Sequence, residues 1–474
     1  MLELYDSLRG RLEAFEPIRP GEVRMYNCGP TVYKRPHVGN YRAFLTADLL
    51  RRTFELLGYR VTQIMNITDV GHLSEDDVAD AAGDDKLQRE AARRSLDPWQ
   101  IAREVEAEFR EDLRALRVRD ADAYPRATDH IPEMIEMIEA LIAKGHAYVA
   151  DGNVYFDVSS FERYGALSGN TLEQLEAGAS GRVEVRSEKR NPLDFALWKQ
   201  DPKHLMQWDS PFGRGFPGWH IECSAMARKY LGDQLDVHSG GPDNKFPHHE
   251  CEIAQSESVT GVPFARFWVH CGRLEVGGRK MSKREGTLYT IPDLAERGFS
   301  GPDVRLFLLR HHYRAPIPFD LALLDEAAKT RAKLNHFVHY EMAERPAGEL
   351  REEFAARVEQ ARRELRESLE SDLNTSAALA ALHEFMTAAN RLEPSAEEAA
   401  AAVDFMREAD RIFDVLDDAP ARGEDDAEIE ALVAERDAAR AARDFARADA
   451  LRDALSERGI ELLDGPEGTR WRRL

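Results

Sequence analysis

The 474 residues are 32 % charged and 43 % hydrophobic, which fits a soluble globular chain too long for one core, so two to four domains are expected. The formal net charge of -22 argues against non-specific nucleic-acid binding, although fields are screened within about 8 Å at physiological salt and a local basic track stays open. No apolar run is long enough to cross a membrane, MLELYDSLRG lacks the apolar core of a signal peptide, and the four scattered cysteines exclude a disulfide framework, so the cytoplasm is the expected location.

Val23 to Tyr26 predicts a short strand, and Cys28 to Gly39 a loop rich in Gly and Pro. Tyr41 to Leu57 has helical spacing at Phe44, Leu45, Leu49, Leu50, Phe54 and Leu57. Gly58 stops that helix, and Tyr59 to Ile67 predicts a second strand. A strand feeding a helix through a glycine-containing loop is how parallel sheets open a nucleotide site at their carboxyl edge. The loop is neither GxGxxG nor a GK[ST] P-loop. Its His37-Val38-Gly39-Asn40 either offers phosphate donors beside a helix amino terminus or simply turns the chain.

Asp76 to Leu116 reads as charged and helical, with Trp99, Ile101, Val105, Phe109 and Leu113 as its apolar stripe. Arg126 to Lys144 predicts another helix, stopped by Gly145. Tyr148 to Val185 alternates short β-like runs with turns, as an insertion between two halves of a sheet domain would.

Between Gly215 and Glu257 the chain packs Trp219, His220, Cys223, His238, His248, His249, Cys251 and Glu252 into one short span. Sulfur, imidazole and carboxylate groups at the ends of short elements are what a Zn²⁺ site needs. Phe267 to His270 and Leu274 to Val276 predict strands, and Gly277-Gly278 a tight turn into a basic loop with Lys280, Ser282, Lys283 and Arg284. Such a loop either closes over a triphosphate or is a solvated basic turn. After Pro318, segments 321–343, 350–370, 373–392 and 396–417 predict a helical bundle, and 417–426 an acidic linker. One helix, Ala427 to Arg458, is expected to carry Arg436, Arg440, Arg443, Arg447 and Arg458 on one face, with Phe445 opposite. Together with Arg470, Trp471, Arg472 and Arg473 this face suits single-stranded RNA, or else it pairs with neighbouring carboxylates.

HVGN and KMSKR are similar to the HIGH and KMSKS motifs of class I aminoacyl-tRNA synthetases. CGPTVY, NITDV, GWHIECSAM, FPHHECEIAQS and the tail DFARADALRDALSERGIELLDGPEGTRWRR resemble the cysteinyl-tRNA synthetase family, and the resemblance covers essentially the whole chain. It implies an α/β fold: a Rossmann-type parallel-sheet catalytic domain with a connective insertion, then an α-helical bundle and a small C-terminal anticodon-binding region. The expected boundaries are 1–120 and 206–265 for the two catalytic halves, 121–205 for the insertion, 266–320 for a stem-contact region with the KMSKR loop, 321–418 for the bundle and 419–474 for the anticodon-binding region. The family activates cysteine with Mg·ATP and passes it to tRNA(Cys), which implies L-cysteine, ATP and tRNA(Cys) as partners, Mg²⁺ with the ATP, one Zn²⁺ per chain and a monomer.

The resemblance carries Cys28, Cys223, His248 and Glu252 over as zinc ligands. Pro247 at a helix start would set His248 and Glu252 at i and i+4 on one face, with His249 and Cys251 pointing elsewhere. Thr68 and Trp219 are implied to line the amino-acid pocket, and Asp243 to hold the α-ammonium group. His37, Gly39 and Asn40 are implied to face the ATP phosphates, with Lys280 and Lys283 closing from the other side. Rejecting serine by about 10⁴ to 10⁵ takes roughly 5.5 to 7 kcal/mol, within the scope of a metal–sulfur bond. Three departures stand out: Asn40 for the second His of HIGH, Arg284 for the last Ser of KMSKS, and an acidic stretch after NITDVGH. A cysteine ligase of thiol biosynthesis would lack the arginine-rich carboxyl end, and a non-catalytic RNA-binding relative would not need His37, Lys280 and Lys283 intact.

Overall fold

The computed structural model describes residues 1–71, 73–75, 82–170, 188–280, 288–343, 345–418, 426–465 and 468–473. The chain begins with a hairpin, β1 (Glu3–Asp6) and β2 (Arg11–Ala14), then runs β3 (Glu22–Asn27), α1 (Val38–Leu56) and β4 (Arg60–Met65). Of the stretch expected as helix from Asp76 to Leu116, residues 76–81 lie outside the described residues; the rest begins with β6 (Ala82–Asp85), paired with β5 (Leu73–Glu75), and continues as two helices, α2 (Lys86–Arg94) and α3 (Pro98–Ala115). Ser95 in the left-handed region ends α2, and Pro98 at the first helical position starts α3. Next come α4 (Ile131–Ala143) and an antiparallel sheet of β7 (Ala147–Ala150), β8 (Asn153–Phe156), β9 (Phe195–Lys199) and β10 (Phe216–Pro217), in order β10-β9-β8-β7.

The elements that make the site follow: α5 (Trp219–Leu231), β11 (Leu235–Gly240), α6 (Glu250–Thr260) and β12 (Ala265–His270). Strands β12-β11-β3-β4 form one sheet, every neighbouring pair parallel. The registers Ser239↔Asn27, Asn27↔Met65 and Gly240↔His270 align the carboxyl ends of all four strands along one edge. Cys28, Thr68, Gly240 and Cys271 leave the sheet from that edge, where ligands of open α/β sheets bind.

A second small sheet follows: β13 (Leu274–Val276) pairs with β14 (Arg279–Lys280) and in parallel with β15 (Ile317–Pro318). Gly277 and Gly278 both take positive φ, as a two-residue hairpin turn requires. Between β14 and β15 lie α7 (Ile291–Ala295) and α8 (Gly301–Leu309). The bundle is α9 (Leu321–His336), α10 (Glu352–Glu370), α11 (Thr375–Arg391) and α12 (Ala396–Phe413).

The single carboxyl-terminal helix expected over 427–458 is two: α13 (Asp426–Ala441) and α14 (Phe445–Glu457), followed by the hairpin β16 (Ile460–Gly465) and β17 (Gly468–Arg473). Arg443 adopts φ 63 and Asp444 caps α14 by accepting from Arg447 N, so the chain turns without a glycine or proline to announce it.

Helix α1 is buried nearly all round and carries charge into the interior. Asp48, 1 % exposed, accepts from Arg52 at 2.7 Å and from Arg305 of α8 at 2.7 Å. Arg305 also reaches Ile412 O and Phe413 O at the end of α12, and Leu116 O after α3. Arg52 pairs with Asp414. One carboxylate thus ties α1, through Arg305, to the end of the bundle helix α12. Asp48→Asn leaves the buried Arg305 guanidinium without a carboxylate partner among the described residues, while Arg52 keeps Asp414, and a loss of about 3–5 kcal/mol is expected in urea unfolding. A loss below about 1 kcal/mol would contradict this reading of the hub.

Candidate metal centre and nucleotide site

Cys28 follows β3, and its N–H donates to Ser239 O at 3.0 Å, which holds the loop to the sheet edge. Cys223 lies in α5. His248 and Glu252 flank the start of α6, where Glu252 Oε1 is 2.9 Å from His248 Nε2. Ligand atoms of Cys28, Cys223, His248 and Glu252 all lie within 4.8 Å of one another, and all four residues are buried. Four donors from three stretches, up to 224 positions apart in the chain, converge where sulfur, nitrogen and oxygen can surround one small cation.

A second group overlaps the first: Cys28, His238, His249 and Glu252 satisfy the same limit. His249 was expected to point away, but its Nε2 is 3.1 Å from Cys28 Sγ. Within 245–249 the non-helical residue is Phe246 (φ -139), ahead of Pro247, and helical spacing holds from there: His248 stands i,i+4 and His249 i,i+3 from Glu252, and both spacings face it. Cys251 does lie apart, with Sγ 3.4 Å from the Tyr164 hydroxyl. Cys271 is buried beyond β12.

His238 and His270 received no role from sequence reasoning. Their signal was position, near or at the end of an apolar strand on the carboxyl edge. His238 Nε2 is 2.7 Å from Glu252 Oε2, and His249 Nδ1 is 2.8 Å from His270 Nε2, whose Nδ1 lies 2.8 Å from Ser7 Oγ. Glu252 therefore has one oxygen on His238 and the other toward the cysteines and His248.

Burial works against charge on Glu252, but the His238 and His248 rings hold its carboxyl down to about 2. Burial also opposes a charged His248, yet Glu252 and Cys223 raise it to about 10. Burial pushes the Cys223 thiol up, while hydrogen bonding to Cys28 and the His248 charge bring it down to about 6. His249 and His270 stay neutral, burial pulling His249 well below its ordinary value and His270 to about 3.

Trp219 stacks on His248, ring centroids 4.4 Å apart. Thr68 is buried, donating to Glu222 Oε2 at 3.1 Å and accepting from Asn66 Nδ2 at 3.0 Å. Asp243 is half-exposed and pairs with Arg273 at 2.6 Å, so an ammonium group there would have to share or displace that partner.

HVGN forms a reciprocal cap on α1. His37 Nδ1 accepts from Gly39 N at 3.1 Å, and Asn40 Oδ1 accepts from His37 N at 3.0 Å. With Nδ1 accepting, a neutral His37 carries its proton on Nε2 and can donate there. Val38 N donates to Tyr289 O at 2.8 Å and Asn40 N to His37 O at 2.8 Å. The amides of Val38, Gly39 and Asn40 are thus already engaged within the protein. Arg35 grips Asp112 of α3 with Nε at 3.0 Å and Nη2 at 2.6 Å, which locks the loop ahead of the cap. The backbone of Lys280 ends β14; Lys283 and Arg284 lie outside the described residues.

Among the described side chains the expected arginines do not share one open face. Arg436 is 6 % exposed and bonds Thr469 at 2.8 Å, so it staples α13 to β17. Arg447 pairs with Glu435 at 2.6 Å. Trp471 packs on the small core of Ile429, Val433, Leu455 and Ile460. Arg440 and Arg443 are exposed, and so is Phe445 at the turn between the helices.

Residues 14–329 match the family described as tRNA synthetases class I (C) catalytic domain, 364–417 the DALR domain, and 422–472 the cysteinyl-tRNA ligase anticodon binding domain. The cysteine–tRNA ligase of Symbiobacterium thermophilum is 44 % identical, covering 100 % of this chain and 99 % of the relative. That of Alkalilimnicola ehrlichii is 45 % identical, with 100 % of each covered. The chain belongs to the cysteine–tRNA ligase family. It is a ligase with a class I catalytic domain.

Among solved structures, Mycobacterium tuberculosis methionyl-tRNA synthetase bound to methionyl-adenylate aligns with TM-score 0.56 at 15 % identity, over 83 % of this chain and 90 % of that one. Agrobacterium radiobacter agnB2 LeuRS aligns with TM-score 0.57 at 12 % identity, over 85 % and 84 %. Both support the α/β class I fold alone. No helix among the described residues is long and apolar enough to cross a membrane.

The two overlapping ligand groups make different predictions. Cys223→Ser and His248→Ala are expected to lose bound zinc on dialysis, measured by plasma mass spectrometry. His238→Ala and His249→Ala should keep one equivalent with affinity weakened about 10- to 100-fold. Full zinc in Cys223→Ser with loss in His249→Ala would assign the metal to the other group.

Proposed function

We propose that this chain activates L-cysteine with Mg·ATP to cysteinyl-adenylate and transfers the cysteinyl group to tRNA(Cys). The observation that carries this reading is the buried Cys28, Cys223, His248 and Glu252 group, on the same sheet edge from which the HVGN loop departs. Two sulfurs, one imidazole nitrogen and one carboxylate oxygen fit zinc, and His238 on the far oxygen of Glu252 supplies the outer hydrogen bond that orients a ligating carboxylate. For that reason the group with Cys223 is preferred as ligands, and His238, His249 and His270 as its support. Zinc bound there would hold a substrate thiol as thiolate, a match that the hydroxyl of serine does not offer.

This chain's own residues do the rest. Trp219, stacked on His248, and Thr68, joined to Glu222 beside Cys223, wall the amino-acid pocket. Asp243 receives the α-ammonium group. The cysteine carboxylate attacks the α-phosphorus of ATP, the bond to pyrophosphate breaks, and no protein nucleophile takes part. Catalysis is then positioning and charge stabilisation. His37 donates through Nε2 and Asn40 through its amide to the phosphate oxygens, beside Gly39, which leaves room for close approach. Lys280 and Lys283 neutralise the charge that develops on pyrophosphate. In the second step the terminal ribose hydroxyl of the tRNA attacks the adenylate carbonyl and AMP leaves. The carboxyl-terminal unit reads the anticodon, and of the arginines first considered Arg436 is the one that burial withdraws from it.

The test is cysteine-dependent ATP–pyrophosphate exchange followed by charging of tRNA(Cys) transcript. Both are expected, with kcat/KM for serine lower by about 10⁴-fold or more. Exchange without charging would point to a small-molecule cysteine ligase, and no exchange would remove the enzymatic proposal altogether.

A further inference from the structure

Arg42 sits two residues past the HVGN turn and is 2 % exposed. Among the described residues no carboxylate pairs with it. Its guanidinium is solvated by main-chain carbonyls instead. Nη1 donates to Arg273 O at 3.1 Å, and Nη2 lies 3.0, 2.9 and 2.6 Å from His312 O, Tyr313 O and Ala315 O. Burial lowers Arg42 to about 10, so it remains charged at neutral pH. A cation held only by neutral dipoles is costly to bury, and an apolar side chain would fill the same space without that cost.

The four carbonyls belong to one junction. Arg273 leads directly into β13, and 312–315 lead into β15, its parallel partner. Gly272 presses so closely on this backbone that a Cβ would stand 2.4 Å from Ala315 O, and Gly272 N donates to Tyr313 O at 2.7 Å. From β13 the chain turns through Gly277-Gly278 into β14, which ends at Lys280. On the far side of the KMSKR segment, Tyr289 O accepts from Val38 N. The chain on either side of the basic segment is therefore fastened to the first turns of α1: Val38 holds Tyr289, and Arg42 holds Arg273, from which the β13–β14 hairpin leads to Lys280. His37 and Asn40 stand in the same turns.

We propose that Arg42 is a positioning residue for adenylate formation, holding the β13–β15 junction, and through it the hairpin that leads to KMSKR, in register with the HVGN turn. It touches neither substrate nor metal. The inference rests on the proposed activity and names the part of the chain that sets the distance between the two halves of its nucleotide site.

The experiment measures cysteine-dependent ATP–pyrophosphate exchange for full-length wild type, Arg42→Lys, Arg42→Met and Gly272→Ala, with zinc content and thermal unfolding alongside. A displacement of about 1 Å at a reacting centre is enough for roughly a 10²-fold loss. Arg42→Met and Gly272→Ala are expected to lose about that much in kcat/KM for ATP, keep one zinc, and hold KM for cysteine within about threefold. Arg42→Lys, which retains the charge with fewer donors, should recover part of the loss. Parameters for ATP and cysteine falling together, in step with lower thermal stability, would reduce Arg42 to a general fold contact and overturn the proposal. So would unaltered exchange in both Arg42→Met and Gly272→Ala. Wild type without cysteine-dependent exchange overturns the proposed function and this inference together, whereas active wild type with unaltered variants overturns this inference alone.

Discussion

Glu252 is a carboxylate with 0 % exposure, and burying that charge is affordable only because each oxygen has a partner. His238 takes Oε2, and the side facing His248 and the cysteines takes Oε1. An unpaired carboxylate at that depth would protonate or unfold its surroundings. The fold therefore has to deliver histidines from β11 and α6, and thiols from the β3 loop and α5, to one point. Parallel strands ending in register are the arrangement that does so, and the four-stranded sheet supplies it. The convergence of these side chains and the topology of the sheet answer to the same constraint.

The same logic runs along α1. Its start carries the His37–Asn40 cap, its second turn carries Arg42, and its middle carries Asp48 and Arg52. These polar groups are buried among carbonyls and counter-charges from the small sheet, α8 and the bundle. A helix that is buried on nearly every side cannot shift without breaking several of those bonds, which suits a reaction that depends on positioning. The carboxyl-terminal unit is different: it has its own small core of Ile429, Val433, Leu455 and Ile460 and exposes Arg440, Arg443 and Phe445 at its central turn.

Much of this was legible in the sequence because periodicity and motif agreed. The stripe Phe44, Leu45, Leu49, Leu50 and Phe54 marked α1, and the Cys/His/Glu pattern marked the metal group across three distant stretches. What escaped were features set by tertiary contact. Arg42, Asp48, Arg52 and Arg305 look like surface charges on a helix, and only their neighbours bury them. His249 faces the group because it stands i,i+3 from Glu252, a same-face spacing as ordinary as the i,i+4 of His248. The break at Arg443-Asp444 used an Asp cap rather than glycine, and it dissolved an arginine face that an uninterrupted 3.6-residue period had drawn. Asn40 gained an explanation: as an acceptor it closes the cap with His37 and keeps its amide as a donor.

The central claim is that the buried group holds zinc as a sensor for the substrate thiol. Zinc K-edge absorption on the wild-type protein counts the sulfurs directly. Two sulfur neighbours are expected without substrate, three with L-cysteine, and two with L-serine. A sulfur count unchanged by L-cysteine, or a single sulfur without substrate, would contradict the account.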